Sequence, residues 1–326
     1  MQETGSSICI KYDIKRGAKS IYNKVQKLYT TMTIDLRHIE NFLCDLAKNK
    51  VGPIIKTKSG TQSEYDLKTG SRQVDIVTKI DKQVEKLIWD TLKEEFPTFK
   101  FVGEESYVKG VTVITKDPTF IVDPIDGTTN FVHDFPFSCT SLGLTIDRVP
   151  VVGVIYNPHT DLLISASKGN GVRVNGKEHD YKTKLEQTGP LLLNKSIVAL
   201  QPGSAREGTN FTTKMRTYEN LLSADGGFVH GFRNLGSSAM SLAYIALGYL
   251  DSYWDGGCYS WDVCAGWCIL NETGGRIVGA NNGDWNVPVD NRTYFAVRGT
   301  CDSSKEDQKK YISDFWANVE GTLKYD

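Results

Sequence analysis

An apolar run, Phe120-Ile121-Val122, leads straight into Asp123-Pro124-Ile125-Asp126-Gly127-Thr128-Thr129-Asn130-Phe131. The run has the composition of a buried strand. A proline between two carboxylates does not suit a continuing strand, because proline brings no ladder N–H. Gly127 and the two threonines suit a helix start, where free backbone N–H groups attract anions. One stretch therefore sets hard oxygen donors beside an anion cradle. Asp-Pro-Ile-Asp by itself reads more readily as a capped turn with solvated acids. The full string through Phe131 is far more specific.

Three further acidic positions follow the same logic. Gly103-Glu104-Glu105-Ser106 comes directly after a short strand, and Trp261-Asp262 opens a helix after Ser260. Asp81 closes the run Val74-Asp75-Ile76-Val77-Thr78-Lys79-Ile80-Asp81. Taken singly, Asp262 is an ordinary first-turn acid and Asp81 a surface helix acid. Gathered together, such carboxylates repel unless protons or cations intervene. Oxygen donors without His or Cys favour Mg²⁺ over zinc. Phosphoryl chemistry commonly uses two such ions a few Å apart. The residues point to a Mg²⁺-dependent phosphatase.

Composition excludes other classes. The chain has 326 residues, 40% hydrophobic and 24% charged, with 38 Lys and Arg against 39 Asp and Glu. That is globular usage, long enough for a large core. A formal net charge of -1 carries no whole-chain footprint for nucleic acid. No apolar run approaches a membrane span. The seven cysteines are scattered without a CxxC pair, which suggests a reduced, intracellular chain. Cys264 and Cys268 read as small buried helix residues.

Residues 1–31 stand apart as a basic amphipathic extension, with Lys11, Lys15, Arg16, Lys19, Lys24 and Lys27 against Glu3 and Asp13. They lack the apolar core of a secretory signal. The segment reads as a disordered extension or as the product of an upstream start codon, with Met32 as the initiator. A mitochondrial presequence is the alternative, with Glu3 and Asp13 against it. Residues 32–326 read as one catalytic domain.

From Met32 the pattern becomes regular. Thr33 can cap a helix with Asp35 in its first turn and an apolar stripe of Leu36, Ile39, Phe42, Leu43, Leu46 and Ala47, which Gly52 and Pro53 end or kink. Residues 56–74 read as a loop or hairpin. Val77, Ile80, Val84, Leu87, Ile88 and Leu92 mark a second helix that stops before Pro97. Strands are expected at 99–102, 120–122, 138–145, 151–156, 162–166, 196–200, 276–279 and 294–298. Helices are expected at 204–223, 238–249, 261–272 and 305–318. Gly169, Gly171 and Gly176 punctuate a turn without forming a dinucleotide fingerprint. This mixture suggests an α/β or α+β protein of layered sheets and helices.

Gly103 to Ser106, Asp123 to Phe131 with Val132-His133, and Trp261-Asp262, in this order, resemble the signature segments of the inositol monophosphatase family, fungal members above all. The resemblance runs from about Asp35 to near residue 300 and takes in Val74 to Asp81, Gly236-Ser237-Ser238-Ala239 and Gly274-Gly275. It implies a layered αβαβα sandwich of the inositol monophosphatase and fructose-1,6-bisphosphatase type. It also implies a cytoplasmic homodimer and lithium-sensitive hydrolysis of inositol 1-phosphate with two to three Mg²⁺ per site.

The resemblance assigns roles as well. Glu104, Asp123 and the Ile125 carbonyl would hold one metal. Asp123, Asp126 and Asp262 would hold a second, and a third would share Glu104. Thr128 and Asp81 would orient and help deprotonate the attacking water. The N–H groups of Gly127 and Thr128 would hold phosphate. Asp126, Ser238, Asp255 and Asp262 would line the substrate. Asp255 and Tyr259 stand where the family has Glu and His. Relatives that act on 3′,5′-bisphosphate nucleotides or sugar phosphates share the Asp-Pro-x-Asp-Gly core, but typically continue with Thr-Lys-Gly or Ser-Ser-Asn. Thr128-Thr129-Asn130-Phe131 favours the monophosphatase branch. A non-catalytic regulatory paralogue would not be expected to keep a carboxylate at every acidic metal position.

Overall fold

The computed structural model describes residues 34–61, 66–67, 76–301 and 305–325. The chain divides into two units, Met1–Asp35 and Leu36–Asp326. Helix α1 spans Leu36–Asp45, and its Ile39 and Leu43 are buried along with Leu46 and Ala47 beyond it. Burying each large aliphatic side chain contributes roughly 1.5–3 kcal/mol. Asp35 lies just ahead of the first turn rather than in it, and Thr33, the expected cap, lies outside the described residues. Gly52 and Pro53 do not end the helical path. A π-helical segment, Leu46–Val51, carries it into α2, Gly52–Lys58, with Pro53 in the opening turn where a missing N–H costs little. Of the expected loop or hairpin at 56–74, residues 56–58 end α2 and most of the remainder lies outside the described residues; β1, Asp66–Leu67, pairs antiparallel with β2, Ile76–Val77, so Val77 belongs to a strand and not to the next helix.

Helix α3, Lys79–Glu95, is capped by Thr78. After β3, Lys100–Gly103, comes β4, Thr119–Asp126, which continues through Pro124 against expectation. The ladder to the next strand shifts register between Asp123 and Asp126, so the missing N–H falls where pairing is already irregular. Helix α4 is short, Thr128–Val132. There follow β5, Cys139–Ile146, β6, Val149–Asn157, β7, Leu162–Ser167, β8, Val172–Val174, and β9, Lys177–Glu178. Helix α5, Tyr181–Thr188, precedes β10, Ile197–Leu200, helix α6, Gly208–Leu222, and β11, Gly231–Arg233. The rest of the chain gives α7, Ser238–Ala246, β12, Ser252–Gly256, α8, Ser260–Glu272, β13, Arg276–Val278, β14, Thr293–Val297, and α9, Glu306–Trp316.

The seven-stranded sheet has the order β3-β4-β5-β6-β7-β8-β9, and the five-stranded sheet the order β11-β10-β12-β14-β13. Helices α7 and α8 lie between the sheets, α1 and α3 cover the first sheet's other face, and α9 packs outside the second. This is the expected αβαβα sandwich. Strand alternation builds it: Tyr253, Tyr294 and Ala296 join the middle core, while Trp254, Phe295 and Val297 join the outer one. Helix α8 comes so close to the first sheet that a Cβ on Gly153 would lie 2.1 Å from the Ala265 carbonyl oxygen. Covered on both faces, strands β4 to β7 are buried almost throughout, their interspersed Ser and Thr included.

Candidate active site

Strands β3 and β4 are parallel, with Gly103 opposite Val122. Both therefore deliver their next residues, Glu104 and Asp123, to the same sheet end. The Glu104 amide donates to the Val122 carbonyl across 3.2 Å, and the Glu104 carboxyl hydrogen-bonds Asp123. The register shift at Pro124 then turns Asp126 back toward the same place. Asp262 arrives from the opposite layer, as the third residue of α8. Its Oδ2 accepts from the Tyr259 amide at 2.6 Å, closing the helix's first turn. Asp123, Asp126 and Asp262 each offer an oxygen within 4.8 Å of the others.

Electrostatics mark the cluster as a cation site. Asp123 is 2% exposed, and burial pushes its carboxyl well above the usual range, with Glu104, Asp126 and Asp262 pushing the same way. Burial raises Asp126 to about 6, opposed by hydrogen bonds from Ser237 and the Ala239 amide, each 2.6 Å to Oδ2. An oxygen-only donor set whose charges are unfavourable without a counterion fits a hard divalent cation.

Beside the cluster, Asp81 and Thr128 meet. Asp81 is buried, not a surface acid. Its Oδ2 takes the Thr78 amide at 2.8 Å in a reciprocal capping box, which leaves Oδ1 facing Thr128 Oγ1 at 3.4 Å. The Thr128 hydroxyl also lies 3.2 Å from the Ile125 carbonyl. Gly127 has φ +89°, and a Cβ there would meet the carbonyls of Phe137 and Gly236 at 3.1 Å. Only glycine lets the chain turn at this point with both carbonyls so close.

Ser238 opens α7, and its amide hydrogen-bonds Asp126. Asp255, expected to face ring hydroxyls, is 4% exposed, and its carboxylate meets the Lys214 ammonium at 2.6 Å. Tyr259 is stacked on Trp261, with ring centroids 4.5 Å apart, and covered by the Arg292 guanidinium at 3.5 Å.

Sequence reasoning missed several supporting residues. Glu85 is one turn beyond Asp81 on the buried face of α3, where its carboxylate accepts the Glu105 amide at 2.7 Å. Burial raises it, with Ser106 and the Glu105 amide opposing and Glu104 adding to the rise. Its place in the apolar stripe was the available signal. Asn130 donates to the Phe137 and Leu235 carbonyls at 3.1 and 2.8 Å, tying α4 to the loop that presents Ser237. Strand β12, which carries Asp255, gave no signal because it is short and of mixed polarity.

Carboxylates gathered at strand ends beside a helix start, on this sandwich, define a metal-dependent phosphomonoesterase. Residues 35–320 match the inositol monophosphatase family. The chain is 77% identical over 295 residues to inositol monophosphatase 1 of Saccharomyces cerevisiae, covering 90% of this chain and 100% of that one. It is 32% identical over 231 residues to inositol monophosphatase 1 of Mus musculus, covering 71% and 80%. Among solved structures, the extragenic suppressor protein suhB of Bartonella henselae superposes with a TM-score of 0.70 at 28% identity, covering 87% of this chain and 100% of that one. The chain belongs to the inositol monophosphatase family.

Proposed function

We propose that this enzyme hydrolyses inositol 1-phosphate to inositol and phosphate, with Mg²⁺ as its metal. The observation that carries the reading is the carboxylate cluster of Asp123, Asp126 and Asp262, with Glu104 against Asp123. Two to three Mg²⁺ would be held by Glu104, Asp123, the Ile125 carbonyl, Asp126 and Asp262. Bound there, Mg²⁺ neutralises phosphoryl charge and acidifies water. The chain's own part is positioning and proton transfer. When the single Thr128 proton goes to Asp81 Oδ1, the Thr128 oxygen is left as an acceptor for the water's proton. The Gly127 and Thr128 amides would hold the phosphate, and the reaction needs no covalent phosphoenzyme.

A homodimer, lithium sensitivity and a cytoplasmic location belong to the same reading, on the strength of the family. No helix among the described residues is long and apolar enough to cross a membrane. The test is a phosphate-release panel with and without Mg²⁺ and Li⁺. Its substrates are inositol 1-phosphate, a sugar phosphate, a 3′,5′-bisphosphate nucleotide and fructose 1,6-bisphosphate. Mg²⁺-dependent, Li⁺-inhibited release that is fastest from inositol 1-phosphate is expected. Preference for the nucleotide would move the enzyme to a neighbouring branch, and no release from any substrate would make it a paralogue without activity.

A further inference from the structure

Two segments from different layers bring acids to the metal cluster: the turn after β3 brings Glu104, and the start of α8 brings Asp262. Aromatic side chains join these segments, and the phosphatase reading makes no use of them. Tyr107, three residues past Glu104, sets its ring centroid 5.1 Å from that of Trp261, edge-on at 62°. The same ring lies 5.5 Å from that of Tyr259, tilted by 58°. Trp261 immediately precedes Asp262, and Tyr259 gives its amide to the Asp262 carboxylate at 2.6 Å. One side chain on the Glu104 turn therefore touches both residues that set the place of Asp262.

The platform that Tyr107 meets is firmly held. Tyr259 and Trp261 stack at 11°, and Arg292 lies 3.5 Å over the Tyr259 ring. Arg292 is fixed in turn, Nε donating to the Cys258 carbonyl at 2.9 Å and Nη2 to the Gly257 carbonyl at 2.8 Å. The Trp261 carbonyl accepts the Ser141 hydroxyl at 3.2 Å, and its ring joins Val102, Ile121 and Val289 in one buried cluster. The Glu104 turn is bound to the first sheet and to α3, by the Glu104 amide on Val122 and the Glu105 amide on Glu85. Past Tyr107 the chain runs exposed from Val108 to Val111, so Tyr107 anchors the turn where it leaves the body of the protein. Carboxylates that share a site repel one another. Without a cation, that repulsion works to part the Glu104 turn from α8, and packed rings resist it.

We propose that Tyr107 is a positioning residue for the metal site, its ring holding the Glu104 turn against the start of α8 so that the carboxylates are spaced before a cation arrives. The proposal rests on the metal-site reading above and adds to it a residue that meets no metal itself. Donors already in place need no work to draw them together, which raises affinity without a new contact to the ion. The phenol hydroxyl has no part in this, because the contacts are those of ring faces and edges.

The experiment titrates Mg²⁺ into full-length wild type, Tyr107→Ala and Tyr107→Phe by calorimetry. It also follows Tm in chelator and in Mg²⁺, and kcat for inositol 1-phosphate across Mg²⁺ concentrations. Tyr107→Ala loses two aromatic pairs and is expected to bind Mg²⁺ about tenfold more weakly. Its rate should need correspondingly more Mg²⁺ but regain the wild-type kcat at saturation, and its Mg²⁺-induced rise in Tm should shrink in step. Tyr107→Phe should behave as wild type. Unchanged Mg²⁺ affinity in Tyr107→Ala would overturn the proposal, and so would a loss in Tyr107→Phe as large as in Tyr107→Ala. A kcat that stays low at saturating Mg²⁺, with affinity intact, would make Tyr107 a packing residue only. If Tyr107→Ala fails to fold, wild-type Mg²⁺ affinity in Tyr107→Leu, which keeps apolar bulk without a ring, overturns the proposal alone. A wild type that binds no Mg²⁺ would instead remove the metal-site reading, and this inference with it.

Discussion

Thr128 Oγ1 lies 3.4 Å from Asp81 Oδ1, joining the first residue of α4 to the first turn of α3 across a separation of 47 residues. Neither residue is among the carboxylates of the metal cluster. Thr128→Ala should therefore lower kcat by about 10²-fold, the low end for loss of a positioned proton acceptor, with Mg²⁺ affinity nearly unchanged. Steady-state kinetics with calorimetric Mg²⁺ titration would check both halves. A large loss of Mg²⁺ binding would move Thr128 into the metal shell.

Asp123 stands at the centre of the cluster, and Asp123→Asn should nearly abolish turnover. The expected loss is at least ~10³-fold, the scale of removing a main electrostatic stabiliser. The fold should survive, because removing a buried charge relieves repulsion. Phosphate release at saturating Mg²⁺ and far-UV circular dichroism would separate the two effects. Wild-type turnover in this variant would rule out the assignment.

The buried acids also set a pH dependence in the metal-free protein. Asp126 is raised from 3.8 to about 6 by burial. A carboxyl held above its unfolded value favours the folded state at low pH, and that contribution disappears as pH rises through about 6. His159 and His179, lowered by burial, act in the opposite direction. The clean quantity is the difference between wild type and Asp126→Asn, in which the histidines cancel. In chelator, wild type should lose Tm relative to Asp126→Asn as pH rises from the ordinary carboxyl value of 3.8 through the raised value of about 6, and Mg²⁺ should reverse the loss at neutral pH. A difference that stays flat across the window would contradict this.

Gly153 lies under α8, where an added Cβ would be 2.1 Å from a backbone carbonyl that cannot rotate away. Gly153→Ala should destabilise the protein by about 1–3 kcal/mol, the usual cost of overpacking. Urea denaturation of both proteins would measure it. An unchanged midpoint would mean that the helix moves freely off the sheet.

Residues 1–31 hold none of the proposed ligands, so a chain starting at Met32 should fold and turn over substrate like the full one. Lower activity would show that the extension supports the domain. Mature protein cleaved within this segment and found in mitochondria would identify a presequence instead.

Much of the molecule was legible in the sequence because its signals are local. Apolar runs gave β4 to β7, the stripe from Ile80 to Leu92 gave α3, and the Asp123 to Phe131 string singled out the site and its kind of chemistry. The shortest elements were not legible. Strand β12 and helix α5 form where neighbours complete them, and a strand of five residues carries too little alternation to announce itself. Pro124 misled for a related reason, since a proline's fit depends on whether the partner strand keeps its ladder regular at that point.

The sequence by itself determined the oxygen-only donor set, the glycine turn at Gly127 and the layered class, because residue type and short-range periodicity suffice for these. Only the tertiary structure decided that Glu104, Asp123, Asp126 and Asp262 share one site, since the parallel pairing of β3 with β4 and the docking of α8 bring them there. It also decided that Asp255 is turned inward to Lys214. A buried carboxylate is stable only with its partners in place, and those partners come from another helix and another strand.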